Sequence, residues 1–222
     1  RSIMKDSSGN IWSGGYYNLK EIDYSRKNIR HFPGLNGITA IIEKDSTHMW
    51  IGTSTGLYLL EKATGKYTYI QMPVESYYIY SLCQASDGML YIGTNNAGLL
   101  VYDTTKNTFR HYHRDNCALI SNNIYTLLSD GKGNIFLSTE HGLSTFYPVE
   151  ETFHNWTKEQ GLKSDHFNAA SGTLRKNGNF IFGSTDGAIE FNKDMILPRD
   201  YKFKMVFSDL RVFYQTVYPK DE

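Results

Sequence analysis

Glu140 and His141 stand side by side on a short polar tip, and Asp186 occupies the matching tip of the following repeat. If such groups converged, the histidine could act as base on the proton beside a uronic carboxylate, the chemistry of a polysaccharide lyase. A solvated loop explains the same residue types without catalysis. The loop is the preferred reading, and a lyase or hydrolase is kept as the alternative. Ser164-Asp165-His166 holds the residue types of a hydrolase, but adjacency makes no triad and no G-x-S-x-G turn is present. His111 and His113 are spaced to share a strand face, yet a zinc site needs three or four convergent ligands. Turns such as Asp6-Ser7-Ser8-Gly9-Asn10 and Asp130-Gly131-Lys132-Gly133-Asn134 lack the alternating oxygens and distal glutamate of a calcium loop. No catalytic residue, metal or cofactor is assigned.

Non-covalent recognition suits the polar tips better. Amides and hydroxyls can pair with sugar hydroxyls, and tyrosine rings can cover the apolar faces of sugars. The candidates are Tyr16, Tyr17, Asn95, Asn96, His141 and Asp186 on hairpin tips, with Tyr77, Tyr78 and His166 on the connections between repeats. For Tyr77 and Tyr78, packing between neighbouring repeats stands as an equal alternative.

These tips belong to a unit that the chain rewrites. Asp87-Gly88 leads into Met89-Leu90-Tyr91-Ile92-Gly93-Thr94, then a polar tip, then Gly98-Leu99-Leu100-Val101-Tyr102. Strand chemistry on two arms with turn chemistry between them predicts a hairpin. Copies recur around Gly14, Gly52, Ser138 and Gly183, and spacings of 38, 41, 45 and 45 residues between successive markers predict a propeller of four-stranded blades. An apolar run before each turn pair, such as Ile79-Tyr80-Ser81-Leu82, reads as an inner strand buried on both faces. A polar–aromatic run, such as Phe109-Arg110-His111-Tyr112, reads as an outer strand with one face in solvent. The marker glycine is expected where backbones of adjacent blades crowd together.

Lysine plus arginine equals aspartate plus glutamate, 23 each, so no global field attracts nucleic acid or anionic lipid. No apolar stretch approaches the roughly 20 residues that a spanning helix requires. Cys83 reads as a buried free thiol, and Cys117 lies on a connection.

The wording of the repeats resembles that of the two-component regulator propeller family, whose units read close to V-x-S-I-x-x-D-x-x-G-N-[IL]-W-I-G-T-x-x-G-L. Residues 1–14 and 45–57 carry it, and 134–143 carries it with Phe136 and Ser138 as substitutions. The run from Trp156 to Asn192 resembles the final unit of such propellers, and Ser208-Asp209-Leu210-Arg211-Val212-Phe213 resembles the opening of the triple-tyrosine (Y_Y_Y) sandwich domain. The resemblance implies the periplasmic sensor of a hybrid two-component system, joined through a membrane segment elsewhere in the parent to a histidine kinase and transcriptional output. It implies an oligosaccharide ligand and no enzymatic activity in this portion.

The expected architecture is all-β. Five repeats (1–36, 37–77, 78–121, 122–164 and 165–196) form part of a seven-bladed propeller, and 197–222 is a linker with the first strands of a sandwich. Uncovered blade faces predict self-association into a dimer, and a protein-interaction scaffold is the third functional reading.

Overall fold

Short β-branched and aromatic runs separated by glycine turns pair most readily with their sequence neighbours. The computed structural model of the chain describes residues 2–23, 25, 27–75 and 78–192, and the backbone of 211–212 and 215–216. The first blade comprises β1 (Ser2–Lys5), β2 (Ile11–Gly14), β3 (Leu19–Asp23) and β4 (Asn28–Phe32). The second comprises β5 (Ile38–Glu43), β6 (His48–Thr53), β7 (Gly56–Glu61) and β8 (Tyr67–Ile70). The third comprises β9 (Ile79–Gln84), β10 (Leu90–Thr94), β11 (Leu99–Asp103) and β12 (Thr108–Tyr112). The fourth comprises β13 (Ile124–Ser129), β14 (Ile135–Thr139), β15 (Gly142–Tyr147) and β16 (Thr152–Trp156). The fifth holds three strands among the described residues, β17 (Phe167–Leu174), β18 (Asn179–Ser184) and β19 (Gly187–Asn192).

All pairings are antiparallel, and the inner strands surround one axis: Ser2, Thr39, Tyr80, Thr126 and Gly172 all line a central cavity of about 170 Å³. The described residues form five propeller blades. Among the described residues one 3-10 turn, Lys158–Gln160, ends at Gly161 in the left-handed region. The predicted linker and sandwich at 197–222 lie outside the described residues, except that Arg211–Val212 (β20) and Gln215–Thr216 (β21) pair antiparallel.

The burial expected of the inner strands lies one strand further out. Every residue of β10 and β14 is buried, whereas β5, β9 and β13 mix buried with half-buried positions. The inner strand meets the axial cavity, while the second and third strands are sandwiched between neighbouring blades. Accordingly the core is four apolar layers between blades. One holds Trp12, Leu19, Met49 and Leu60, and another holds Tyr91, Leu99, Leu137 and Phe146. The outer strands behave as expected, with β8 and much of β12 in solvent.

The marker glycine receives chiefly a side chain of the next blade, and at Gly93 also its backbone, since the Ile124 carbonyl oxygen would lie 3.0 Å from an added Cβ. A Cβ on Gly14 would lie 2.4 Å from Ile38 Cγ2, one on Gly52 would lie 2.8 Å from Ile79 Cγ2, and one on Gly93 would lie 2.8 Å from Ile124 Cγ2. In each case the isoleucine opens the inner strand of the next blade, and each is almost fully buried. Burying such a side chain stabilises by about 1.5–3 kcal/mol. At the fourth joint Ser138 replaces the glycine and Phe167 replaces the isoleucine. The buried Ser138 Oγ has no hydrogen-bond partner among the described residues.

The turn motif has its own logic. Asp6 Oδ1 accepts the Ser8 and Asn10 N–H groups (3.1 and 2.8 Å), and its Oδ2 accepts the Trp12 indole N–H at 2.9 Å. Asp130 closes its turn likewise through the N–H groups of Lys132 and Asn134 (2.7 and 3.1 Å). Lys62, from the second blade, reaches Asp6 at 3.3 Å and also binds Glu43. Burial opposes ionisation of Asp6, yet the Trp12 and Asn10 hydrogen bonds and the Lys62 charge hold its carboxyl below the usual carboxylate range. Burial likewise opposes ionisation of Glu43, and bonds from Lys62 and Ser7 outweigh it. Both cysteines are free and half-buried, and burial pushes the Cys83 thiol up to about 11.

Two outcomes follow from these joints. Gly93→Ala is expected to cost about 1–3 kcal/mol in denaturant unfolding by overpacking against Ile124. Ile124→Ala in the same chain should show non-additive coupling with it, since the two changes share one contact. Because Asp6 and Glu43 have depressed folded-state pKa values, their stabilisation is complete above the ordinary carboxylate range and drains away as pH falls through the folded values. Lys62→Met should therefore lower stability by about 3 kcal/mol at neutral pH and flatten the acid limb of the melting-temperature profile.

Candidate functional site

At one end of the propeller, each hairpin tip is tied to a connection between blades. The Gly37 N–H donates to Tyr16 O (3.0 Å), Ser54 N–H to Gly37 O (2.9 Å), Asn95 N–H to Tyr78 O (2.9 Å), Gly98 N–H to Asn122 O (2.9 Å) and Thr185 N–H to His166 O (3.0 Å). The tips themselves share a lock. The hydroxyls of Thr53, Thr94, Thr139 and Ser184 donate to the carbonyls of Gly56, Gly98, Gly142 and Gly187 at 2.7–2.9 Å. At the first blade Gly15 stands in that place and has no hydroxyl, and the tip takes another course. A cavity of about 390 Å³ opens there, lined by Gly15, Tyr16, Gly37, Thr39, Ser54 and Tyr78.

A second repeated device pushes one residue out of the ladder at the start of an inner strand. Ile38 pairs with Thr53 and Ala40 with Gly52, so Thr39 is the extra residue of a β-bulge. Tyr80 and Tyr125 are extra residues of the same kind, and in the fifth blade the bulge lengthens to residues 168–171. The Tyr78 and Tyr80 rings lie 4.9 Å apart, and Tyr80 meets Tyr125 edge to face at 5.2 Å. Glu140 stands beside them, its Oε2 accepting from Asn123 Nδ2 at 2.7 Å, while Asn123 Oδ1 accepts the Asn96 N–H at 2.7 Å. Burial raises the Tyr80 phenol above the usual tyrosine range, with its Tyr125 and Tyr78 neighbours and the Glu140 charge adding to it. Burial and the Glu140 charge raise Tyr125.

Tyr16 and Tyr78, both expected, thus share one cavity. Tyr17 instead lines a separate recess of about 360 Å³ on the flank of the first blade, with Ile3, Asn18 and Lys20. Asn95 and Asn96 bind neighbouring connections through their backbone N–H groups, Asn96 in the left-handed region at φ 64°. Tyr77 lies outside the described residues. His141 Nε2 sits 3.9 Å from Glu140 Oε2, and His166 Nδ1 is 3.2 Å from the Glu140 carbonyl. Asp186 is exposed on its own tip, and no hydrogen bond or ion pair links it to the Glu140–His141 pair among the described residues.

The Ser164-Asp165-His166 run is structural. Ser164 Oγ accepts the His166 N–H at 3.3 Å, and Asp165 Oδ1 accepts the Lys158 N–H at 2.6 Å. His111 and His113 do share a face, with rings 4.8 Å apart, but His111 is not a freely solvated outer-strand group. Its Nε2 lies 2.6 Å from the Ala97 carbonyl. Among the described residues, no group of three or more His, Cys, Asp or Glu could hold a metal ion.

Tyr80 and Tyr125 escape a reading based on loops because they sit inside strands. Their signal is the residue after the isoleucine that opens each inner strand. Burial also raises Tyr91, Tyr102, Tyr112 and Tyr147, so in a spectrophotometric titration Tyr80→Phe and Tyr125→Phe are each expected to remove one phenol from this late-ionising group. Glu140→Gln should lower the apparent pKa of Tyr125, since it withdraws a neighbouring negative charge.

A family model described as "Two component regulator propeller" matches residues 73–96. The chain is 22% identical over 192 residues to Histidine kinase P4 of Formosa agariphila, a match covering 82% of this chain and 14% of that protein. Its fold resembles an extracellular domain described as that of the hybrid two component system BT4673 from B. thetaiotaomicron, with TM-score 0.72, 18% identity, and coverage of 87% of this chain and 26% of that one. The corresponding domain of BT3049 from the same organism gives TM-score 0.61 and 20% identity over 87% of this chain and 33% of that one. The chain thus spans a seventh to a third of the lengths of these chains, and its fold is shared with the two solved domains.

Proposed function

We propose that this chain is part of the extracellular or periplasmic sensor region of a hybrid two-component receptor and that its mouth holds an oligosaccharide. The carrying observation is the convergence of tips, connections and bulge tyrosines at one end, beside the cavity of Tyr16 and Tyr78. Half-buried aromatic rings flanked by amides and hydroxyls suit sugar faces and sugar hydroxyls. The match to a two-component regulator propeller and the likeness to a histidine kinase support the signalling context. In this reading the parent carries seven blades, a sandwich domain, a membrane segment and a cytoplasmic kinase, and this portion catalyses nothing.

Signalling requires a ligand that prefers one arrangement of the receptor over another, since binding both equally shifts no equilibrium. Self-association supplies such arrangements. Ile3 and Tyr17 on the first blade are 73% and 83% exposed, a flank that a second copy can cover. A monodisperse monomer in light scattering would remove the dimer from this picture.

A lyase remains the alternative because Glu140 and His141 are adjacent at the mouth. Incubation with uronate polysaccharides separates the two readings, since a lyase leaves unsaturated ends that absorb in the ultraviolet. Under the sensor reading no absorbance develops, and an oligosaccharide panel raises the melting temperature through preferential binding to the folded state. Tyr78→Ala and Tyr80→Ala are expected to abolish that rise while leaving the melting temperature without ligand within a few degrees. A panel that shifts nothing, while a protein partner does, would favour a scaffold.

A further inference from the structure

Glu140 is the carboxylate that acts on both Tyr80 and Tyr125, and no lysine or arginine pairs with it among the described residues. Its polar neighbours are neutral or titratable: Asn123 donates to it at 2.7 Å, and His141 Nε2 lies 3.9 Å away. Elsewhere in the molecule carboxylates with bases nearby form short pairs, as Glu21 does with Arg30 at 3.0 Å and Glu151 with Arg110 at 2.6 Å. The faces of aromatic rings carry negative potential and attract cations, most strongly where water is partly excluded. Three half-buried tyrosines at 4.9 and 5.2 Å spacing, beside a carboxylate paired with no lysine or arginine among the described residues, form a setting for a positive group.

We infer that the Tyr78–Tyr80–Tyr125 cluster with Glu140 selects a cationic group on the ligand, such as the ammonium of an amino sugar, and disfavours uronate or sulfated glycans. This rests on the mouth being the ligand site and adds the charge class of what it takes. The rings bear on the cation through their faces, and Glu140 provides the countercharge. Asn123 holds Glu140 in place and ties it to the neighbouring tip through Asn96.

Calorimetric titration with three tetramers of matched length tests this. An N-trimethylated glucosamine tetramer has permanent charge, N-acetylglucosamine tetramer is neutral, and galacturonate tetramer is anionic. A mildly alkaline buffer keeps histidine charge out of the comparison. The cationic tetramer is expected to bind about tenfold more tightly than the neutral one, in line with a partly desolvated cation–π contact beside a carboxylate. The anionic tetramer should bind most weakly. Glu140→Gln keeps the acceptor for Asn123 and should bring cationic and neutral ligands to parity. Equal or tighter binding of the anionic tetramer, or an unchanged ratio in Glu140→Gln, overturns the charge assignment. If Tyr80→Ala still weakens every tetramer in that event, the mouth survives as the ligand site. Binding by none of the three, at concentrations where the folded protein is stable, overturns both.

Discussion

Successive blades are held in register by an isoleucine that fits where the preceding blade has no side chain. Ile38 over Gly14, Ile79 over Gly52 and Ile124 over Gly93 are one contact made three times. An aliphatic group at the start of an inner strand can lie this close to a neighbouring strand only if that strand lacks a Cβ. The same isoleucine pairs across its own blade with the residue that follows the next glycine, as Ile79 does with Thr94. Packing between blades and pairing within a blade are thereby fixed at a single register position. A slip of one residue would swing every buried side chain of the blade to its other face.

The mouth is a by-product of that constraint. The threonine next to the glycine caps the hairpin tip, and the bulge beside the isoleucine expels one residue from the ladder. The tip and the expelled side chain therefore emerge at the same end of the second, third and fourth blades. Variation there leaves the joints untouched, because Thr39, Tyr80 and Tyr125 occupy an equivalent bulge with very different side chains. A rigid scaffold presenting variable positions is a common way for folds to host recognition.

The repeat period and the order of strands were legible in the sequence because both rest on local chemistry: turn residues, alternation and one glycine per unit. Burial was harder to read. An inner strand and a second strand are both apolar runs, and only the geometry of the ring decides which faces the axial cavity. The site was half legible for a related reason. Tyr16 and Tyr78 stand on visible tips and connections, whereas Tyr80 and Tyr125 are disguised as strand residues by a bulge that exists only once β9 and β13 pair with their neighbours. Asp186 holds the place of Glu140 in its own repeat, yet among the described residues no hydrogen bond or ion pair joins the two.

The joint also governs how such a molecule grows. Its two halves lie in different repeats, the glycine late in one unit and the isoleucine early in the next. A duplication or excision spanning one whole period therefore regenerates an intact joint at the splice, leaving neither a void nor a clash. Circumference can then change by whole units without redesign of the layers between blades. Departures such as Ser138 and Phe167 mark places where that interchangeability has been given up, so a unit copied across this boundary would bring a mismatched partner with it.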